Sequence, residues 1–203
     1  MGAFASAFFV YGIALVLAAT GTTNLSTLFD FTTQNMSGKN FIFYAGIAFL
    51  ATGFGFKIAL VPFHTWVPDV YEGAPLPVTA YMATAVKAAG FAPLARVFLH
   101  AFAGIFTDFF TAFALLSIFT MTGGNVVALF QNDYKRMLAY SSISHAGVIL
   151  LGLLASQQSG LPGMTFYFLA YTFATVGSFA LITCLIRGAN SADFTFFTGK
   201  AST

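Results

Sequence analysis

FIFYAGIAFLATGFGFKIALVPFHTW, residues 41–66, decides the fold. Its only formal charge is Lys57 and its only proline is Pro62. A helix rises 1.5 Å per residue, so an apolar run of this length crosses a hydrocarbon core of about 30 Å. Pro62 removes a backbone donor and crowds the preceding turn, so the span is expected to break near it. Gly53 and Gly55 loosen the same helix. Broken helices at membrane depth are tolerated where they line a cavity or a polar path. His64 falls just past the break, and its ordinary pKa of about 6.5 suits a proton relay. A simple kink beside an interfacial histidine is the plainer alternative.

Working outward, five further apolar segments are separated by polar or Gly/Pro-rich breaks. The spans are expected near residues 2–20, 41–66, 75–99, 106–130, 136–155 and 162–186, with a polar loop over 21–40. Such long, continuous segments are not barrel strands of about ten residues. The expectation is an all-α integral membrane protein. It would be one transmembrane domain over 1–203, a bundle of about six helices with the second broken near Pro62.

Composition agrees. Hydrophobic residues make up 58% of the 203 residues and charged residues 7%, with a mean hydropathy of +0.84; ordinary soluble domains are about 25% charged. A net charge of +2 gives no reason to expect nucleic acid as a partner. The lone Cys184 lies in an apolar run and reads as a core thiol. The start, MGAFAS, formally fits a myristoylation pattern, but it leads straight into the first span. Lys135, Arg136, Arg187 and Lys200 fall on one side of a six-span topology, and Lys39 and Arg96 on the other. The positive-inside rule makes the first side cytoplasmic, and with it Met1 and the 69–75 connection.

Two lysines carry the functional argument. Lys57 lies about nine residues before the expected end of its span, and Lys87 sits 30 residues later, mid-way along the next. A charge at the centre of a span costs about 2.5–3.5 kcal/mol on insertion scales. Low dielectric favours the uncharged form of an amine, so a buried lysine can load and release a proton. The bland alternatives are snorkelling for Lys57 and structural pairing for Lys87. Small neighbours around Lys87 (Ala83, Ala85, Ala88, Ala89, Gly90) let another helix approach. Two unit charges about 10 Å apart at an effective dielectric of 20 interact by roughly 1.7 kcal/mol, more than one pKa unit.

The fifth span reads MLAYSSISHAGVILLGLL after Lys135 and Arg136. Ser141, Ser142, Ser144 and His145 fall within about 160° of a helical wheel. That face could hold water and a histidine relay, or glue helices together by hydrogen bonds. Asp69 and Glu72, in TWVPDVYEGAPLP, are expected in a rigid loop with a structural role. His100 and Asp108 are expected at an interface, and Trp66 and Tyr71 in an aromatic belt. No metal-ligand cluster, phosphate loop or nucleophile elbow is present, so no metal or cofactor is expected in this chain. Every Asp and Glu lies in a loop or at the edge of an expected span, as Asp108 does, so any counter-ion for the lysines must come from elsewhere.

The stretch GFGFKIALVPFHTWVPDVYEGAPLPVTAYMATAVKAAGFAPLAR, residues 53–96, resembles the N-subunit family of the bacterial NADH–quinone oxidoreductase, respiratory complex I. NDYKRMLAYSSISHAGVILLGLLA (132–155) looks like a later helix of that family, and GAFASAFFVYGIALVLAATGTTNL (2–25) like the helix before the first block. VPFHTWVPDVYEGAP alone would admit the wider antiporter-like subunits, including those of multisubunit sodium/proton antiporters. The resemblance implies an antiporter-like fold and a proton path through Lys57, His64, Lys87 and His145. It implies a translocase subunit with no redox chemistry of its own. NADH, FMN, iron–sulfur clusters and quinone would belong to partner subunits. The implied partners are other membrane subunits and the lipid bilayer, with no small molecule bound apart from protons, and the implied location is a bacterial inner (plasma) membrane. The family also uses a glutamate on an earlier helix and a charged residue on a second broken helix. Neither has a counterpart here, so the chain is expected to be a piece of a longer subunit or one started at an internal methionine. A cation/proton antiporter subunit and a purely structural membrane subunit are the alternatives.

Overall fold

The computed structural model describes residues 2–34, 40–155 and 160–185, and all regular structure among them is helical. The helices are α1 (Gly2–Thr20), α2 (Leu25–Gln34), α3 (Phe41–Ile58), α4 (Trp66–Gly73), α5 (Leu76–Ala101), α6 (Phe106–Leu129), α7 (Tyr134–Leu154) and α8 (Gly160–Leu185). Helices α3, α5, α7, α8 and the stretch Ala103–Leu129 are long and apolar enough to cross a membrane. Ala5–Thr20 and Leu25–Gln34, bent by 56°, together make a sixth candidate. The chain is a multi-pass membrane protein. Large apolar side chains point outward from α6 and α8, among them Phe119, Val126, Phe166, Phe173 and Leu181, as surfaces meeting lipid require.

Starts and stops follow from local chemistry. The Asn40 side chain accepts from the backbone N–H groups of Ile42 and Phe43, and Asp133 caps α7 by accepting from the Arg136 N–H at 2.9 Å. Pro77 lies in the first turn of α5, where a missing N–H breaks no helical bond. Within α5, Met82–Val86 forms a π turn, and α geometry resumes at Lys87.

Glycines set the closest approaches. A Cβ on Gly12 would meet the Leu50 backbone N at 2.8 Å, which is how α1 and α3 lie against each other. A Cβ on Gly124 would meet the Ser144 N at 2.7 Å, and one on Gly147 the Met121 N at 2.9 Å, locking α6 to α7. One apolar cluster runs through α1, α3, α5, α6 and α7. A smaller one, with Val67, Tyr71, Ala83, Ile143 and Phe179, surrounds the buried lysine described below.

The structure corrects four expectations. The second span does not run to Trp66: α3 stops at Ile58, because Ala59 takes the left-handed conformation (φ 64°) and starts a Schellman turn, with Leu60 N–H donating to Gly55 O and Ala59 N–H to Phe56 O. The break near Pro62 is present, but it begins three residues earlier; the Val61–Pro62 peptide is cis. The expected loop over 21–40 contains α2, whose Ser26 N–H donates to the Asn24 side chain and whose Leu28 and Thr32 pack inward. Residues 66–73 are helical, so Asp69 and Glu72 stand on α4. Cys184 is exposed near the end of α8 and is not a core thiol. Arg187 and Lys200, used for orientation, lie outside the described residues, as does Lys39.

Candidate functional site

Lys87 is 3% exposed at the centre of α5. The π turn before it adds a residue to the winding and places the side chain toward α7. There its Nζ donates to the Ser142 carbonyl, and to Ser142 Oγ at 2.5 Å. Ser142 Oγ is also 3.5 Å from the hydroxyl of Tyr71, which rises from α4 and is 1% exposed. One turn along α7, the His145 Nδ1 and the Tyr167 hydroxyl are hydrogen-bonded at 2.7 Å, and the Tyr171 ring lies 5.0 Å from the imidazole. Tyr171 in turn donates to the Ala83 carbonyl, inside the π turn of α5. Between α7 and α8 lies a cavity of about 290 Å³, with Ser141, Ser142, His145, Tyr167, Tyr171, Thr175 and Ser178 on its wall. At about 30 Å³ per water it has room for several. Serine, tyrosine and histidine can each donate and accept, so the groups from Lys87 to this cavity can hand a proton along.

The expected site residues separate into two groups. Lys87, Ser141, Ser142 and His145 come together. Ser144 does not join them. It lies 160° from Ser142 on the wheel and donates to the Met121 carbonyl on α6, so it is helix glue. Lys57 is not buried. Because α3 ends early, it sits in the last turn and is exposed to a groove of about 690 Å³ walled by α1, α3, α4 and α5. Its stem passes Gly90, where a Cβ would be 3.3 Å from Lys57 Cγ, which places it one turn along α5 from Lys87. Exposed Pro62 and half-buried His64 lie in the break, and the buried His64 Nδ1 has no hydrogen-bond partner among the described residues. Among the described residues no carboxylate pairs with either lysine; the ion pairs found join Arg136 to Asp69 and Glu72.

Those pairs fix α4 against the start of α7. Arg136 reaches Asp69 at 3.1 Å and also Glu72, while Lys135 Nζ donates to the Glu72 and Ala74 carbonyls. The structural reading of both carboxylates therefore fits. Asp108 accepts from Tyr44, and His100 is exposed beside Phe29. Trp66 is half-buried, donating to the Phe56 carbonyl, whereas Tyr71 is no belt residue and belongs to the lysine site. Sequence reasoning missed Tyr71, Tyr167 and Tyr171. For the last two a signal existed: Tyr167, Tyr171, Thr175 and Ser178 repeat at helical spacing along one face of α8.

A family model described as NADH:quinone oxidoreductase/Mrp antiporter, transmembrane, matches residues 1–199. The chain belongs to that family. A relative named NADH-quinone oxidoreductase subunit N, from Trichlorobacter lovleyi, is 47% identical over 182 residues, which is 90% of this chain and 37% of that protein. The chain thus spans little more than a third of the length of this relative. Among solved structures, respiratory complex I from Thermus thermophilus contains a chain 42% identical, with a TM-score of 0.71 over 88% of this chain and 37% of that one. The Mrp complex from Dietzia sp. shares the fold at 24% identity, with a TM-score of 0.81 over 91% of this chain and 33% of its own.

Proposed function

We propose that this chain is a proton-carrying part of the membrane arm of an NADH:quinone oxidoreductase, in a bacterial plasma membrane. The observation that carries the reading is Lys87: a buried amine at mid-span, released from the regular helix by a π turn and joined through Ser142 to a polar cavity. π turns inside α-helices often accompany functional sites. Proton entry is assigned to the Lys57 groove beside the break, with His64 next to it, and lateral transfer to Lys87. Onward transfer runs through Ser142 and the cavity to His145. Ser141 lines the same cavity. NADH, flavin, iron–sulfur centres and quinone are assigned to partner subunits, with other membrane subunits as neighbours. The sequence identity to named subunit N proteins supports this reading. The fold shared with the Mrp complex favours a second one, a cation/proton antiporter subunit using the same lysines.

The test is NADH-driven proton uptake by inverted vesicles whose complex carries Lys87→Ala, with assembly followed alongside. An intact complex that no longer pumps upholds the lysine path. Normal pumping by an assembled complex removes it and leaves a structural role. Uptake that requires a sodium gradient rather than NADH moves the chain to the antiporter reading.

A further inference from the structure

Tyr71 is a buried phenol that no step above uses. We infer that it is a positioning residue for Lys87, acting through the Ser142 hydroxyl, and that α4 holds it in place; this inference rests on the proton-path reading. Tyr71 leaves α4, a helix of eight residues just past the broken span, and its hydroxyl reaches Ser142 Oγ, on α7, at 3.5 Å, its one hydrogen-bond partner among the described residues. The same oxygen accepts from Lys87, as does the Ser142 carbonyl. One serine therefore stands between the lysine and the segment that follows the break.

The hydrogen-bond arithmetic gives Tyr71 a task. When Lys87 carries its third proton, Ser142 Oγ accepts from it, and the serine O–H is free to donate to the Tyr71 oxygen. When Lys87 is neutral, its lone pair can accept the serine O–H, and Ser142 Oγ is then filled by the Tyr71 O–H. Phenol and serine exchange donor and acceptor roles as the amine changes state, and Ser142 Oγ keeps a donor in both arrangements. Phenylalanine at position 71 could do neither. Bonds to a charged donor are the stronger ones, so losing the phenol weakens the charged state more than the neutral one.

The phenol is held from outside the bilayer. Thr79 Oγ1 donates to the Tyr71 carbonyl, and Arg136 and Lys135 tie the two ends of α4 to the start of α7. The other titratable groups around the amine are Tyr171 and Tyr167 on α8, His145 on α7, and Lys57 on α3, whose stem lies one turn further along α5. Tyr171 also interacts with the Ser142 side chain, but its hydroxyl donates to the Ala83 carbonyl, and Lys87 holds the close contact to Ser142 Oγ. A movement of the broken span that shifts α4 reaches Lys87 through this one hydroxyl.

The experiment compares wild type, Tyr71→Phe, Ser142→Ala, the double variant and Lys87→Ala in the intact complex. NADH-driven proton uptake is measured from pH 6 to 9, with assembly checked on native gels. Tyr71→Phe is expected to assemble and to move the alkaline limb of pumping down by about one pH unit, the size of one hydrogen bond in a dry site. The double variant is expected to behave like Ser142→Ala alone, since both changes cut the same link. 3-Fluorotyrosine at position 71 keeps the shape and is a poorer acceptor, so a smaller shift in the same direction is expected; it decides the matter if the phenylalanine variant does not assemble. An assembled Tyr71→Phe or fluorotyrosine complex with a wild-type profile, or strictly additive effects with Ser142→Ala, overturns the inference while loss of pumping in Lys87→Ala keeps the proton path. Normal pumping in Lys87→Ala overturns the path and the inference together.

Discussion

An ammonium has three N–H donors, and Ser142 supplies acceptors for two of those of Lys87. The third has no acceptor among the described residues, so the charged lysine needs water or a group from elsewhere. Ser142 is then the residue on which the charged state leans most. Hydrogen bonds to a charged group contribute about 1.5–3 kcal/mol, so Ser142→Ala is expected to slow coupled proton transport about tenfold or more without loss of assembly. Initial rates of proton uptake, normalised to assembled complex, check this. His145 makes a parallel case. Its Nδ1 is held by Tyr167, which orients the ring and can serve either tautomer by donating or accepting. Tyr167→Phe removes the Nδ1 partner and is expected to lower pumping by a smaller factor, about threefold, in line with one neutral hydrogen bond. Nitrogen chemical shifts of labelled His145 report the loss of that bond directly.

At the scale of the helix, Ala59 is the decisive residue, and it explains why the break was only partly legible. Pro62 announced an interruption, and one exists. Where it falls is set by an alanine in a conformation that usually belongs to glycine, at φ 64°. No propensity argument places Ala there; Trp66, packed on Phe56 and bonded to its carbonyl, and Phe63, folded against Gly55, hold the turn from outside. Lys57 is exposed for the same reason: α3 ends at Ile58, which puts the lysine in the last turn instead of about nine residues before the end of the span. Ser142 and His145 were legible because each sits inside a regular helix whose face survives folding, and Lys87 because it lies so far from either end of its helix that the π turn before it turns the side chain without exposing it. Tyr71 was not, since its position depends on α4 packing back against α7. A left-handed alanine is strained by about 1–2 kcal/mol, part of which glycine returns as backbone entropy. Ala59→Gly is therefore expected to stabilise the protein by up to about 1 kcal/mol, and Ala59→Val to destabilise it, with thermal unfolding in detergent as the readout. Gly124 gives the opposite test. A Cβ there meets the Ser144 backbone at 2.7 Å, so Gly124→Ala must push α6 from α7, at about 1–3 kcal/mol, and lower the same unfolding temperature.

At the scale of the whole molecule, the two lysines differ in access. Lys87 is enclosed by α4, α5, α7 and α8, while Lys57 opens into a groove of about 690 Å³ whose wall includes Gly2, Ala5, Ser6 and Phe9 of α1. The ion pairs between α4 and the start of α7 put residues 69–75 and 133–136 on one face of the membrane, and the connection at 102–105 falls on the other. The positive-inside rule, applied to Lys135 and Arg136, predicts that the first face is cytoplasmic. A proton from the cytoplasm would then meet the groove and Lys57 first and reach Lys87 only through the protein. Single cysteines report this order in a background where exposed Cys184 is replaced by serine. Thiol reagents that cannot cross a membrane are expected to label cysteines at Glu72 and Asn132 in inverted vesicles, and one at exposed Ala103 only in right-side-out ones. Cysteine in place of Lys57 is expected to react at least about tenfold faster than cysteine in place of Lys87, because thiol labelling follows access. Equal rates at the two positions would mean that a water-filled route reaches Lys87 without passing Lys57, and the sequential path would give way to two independent entries.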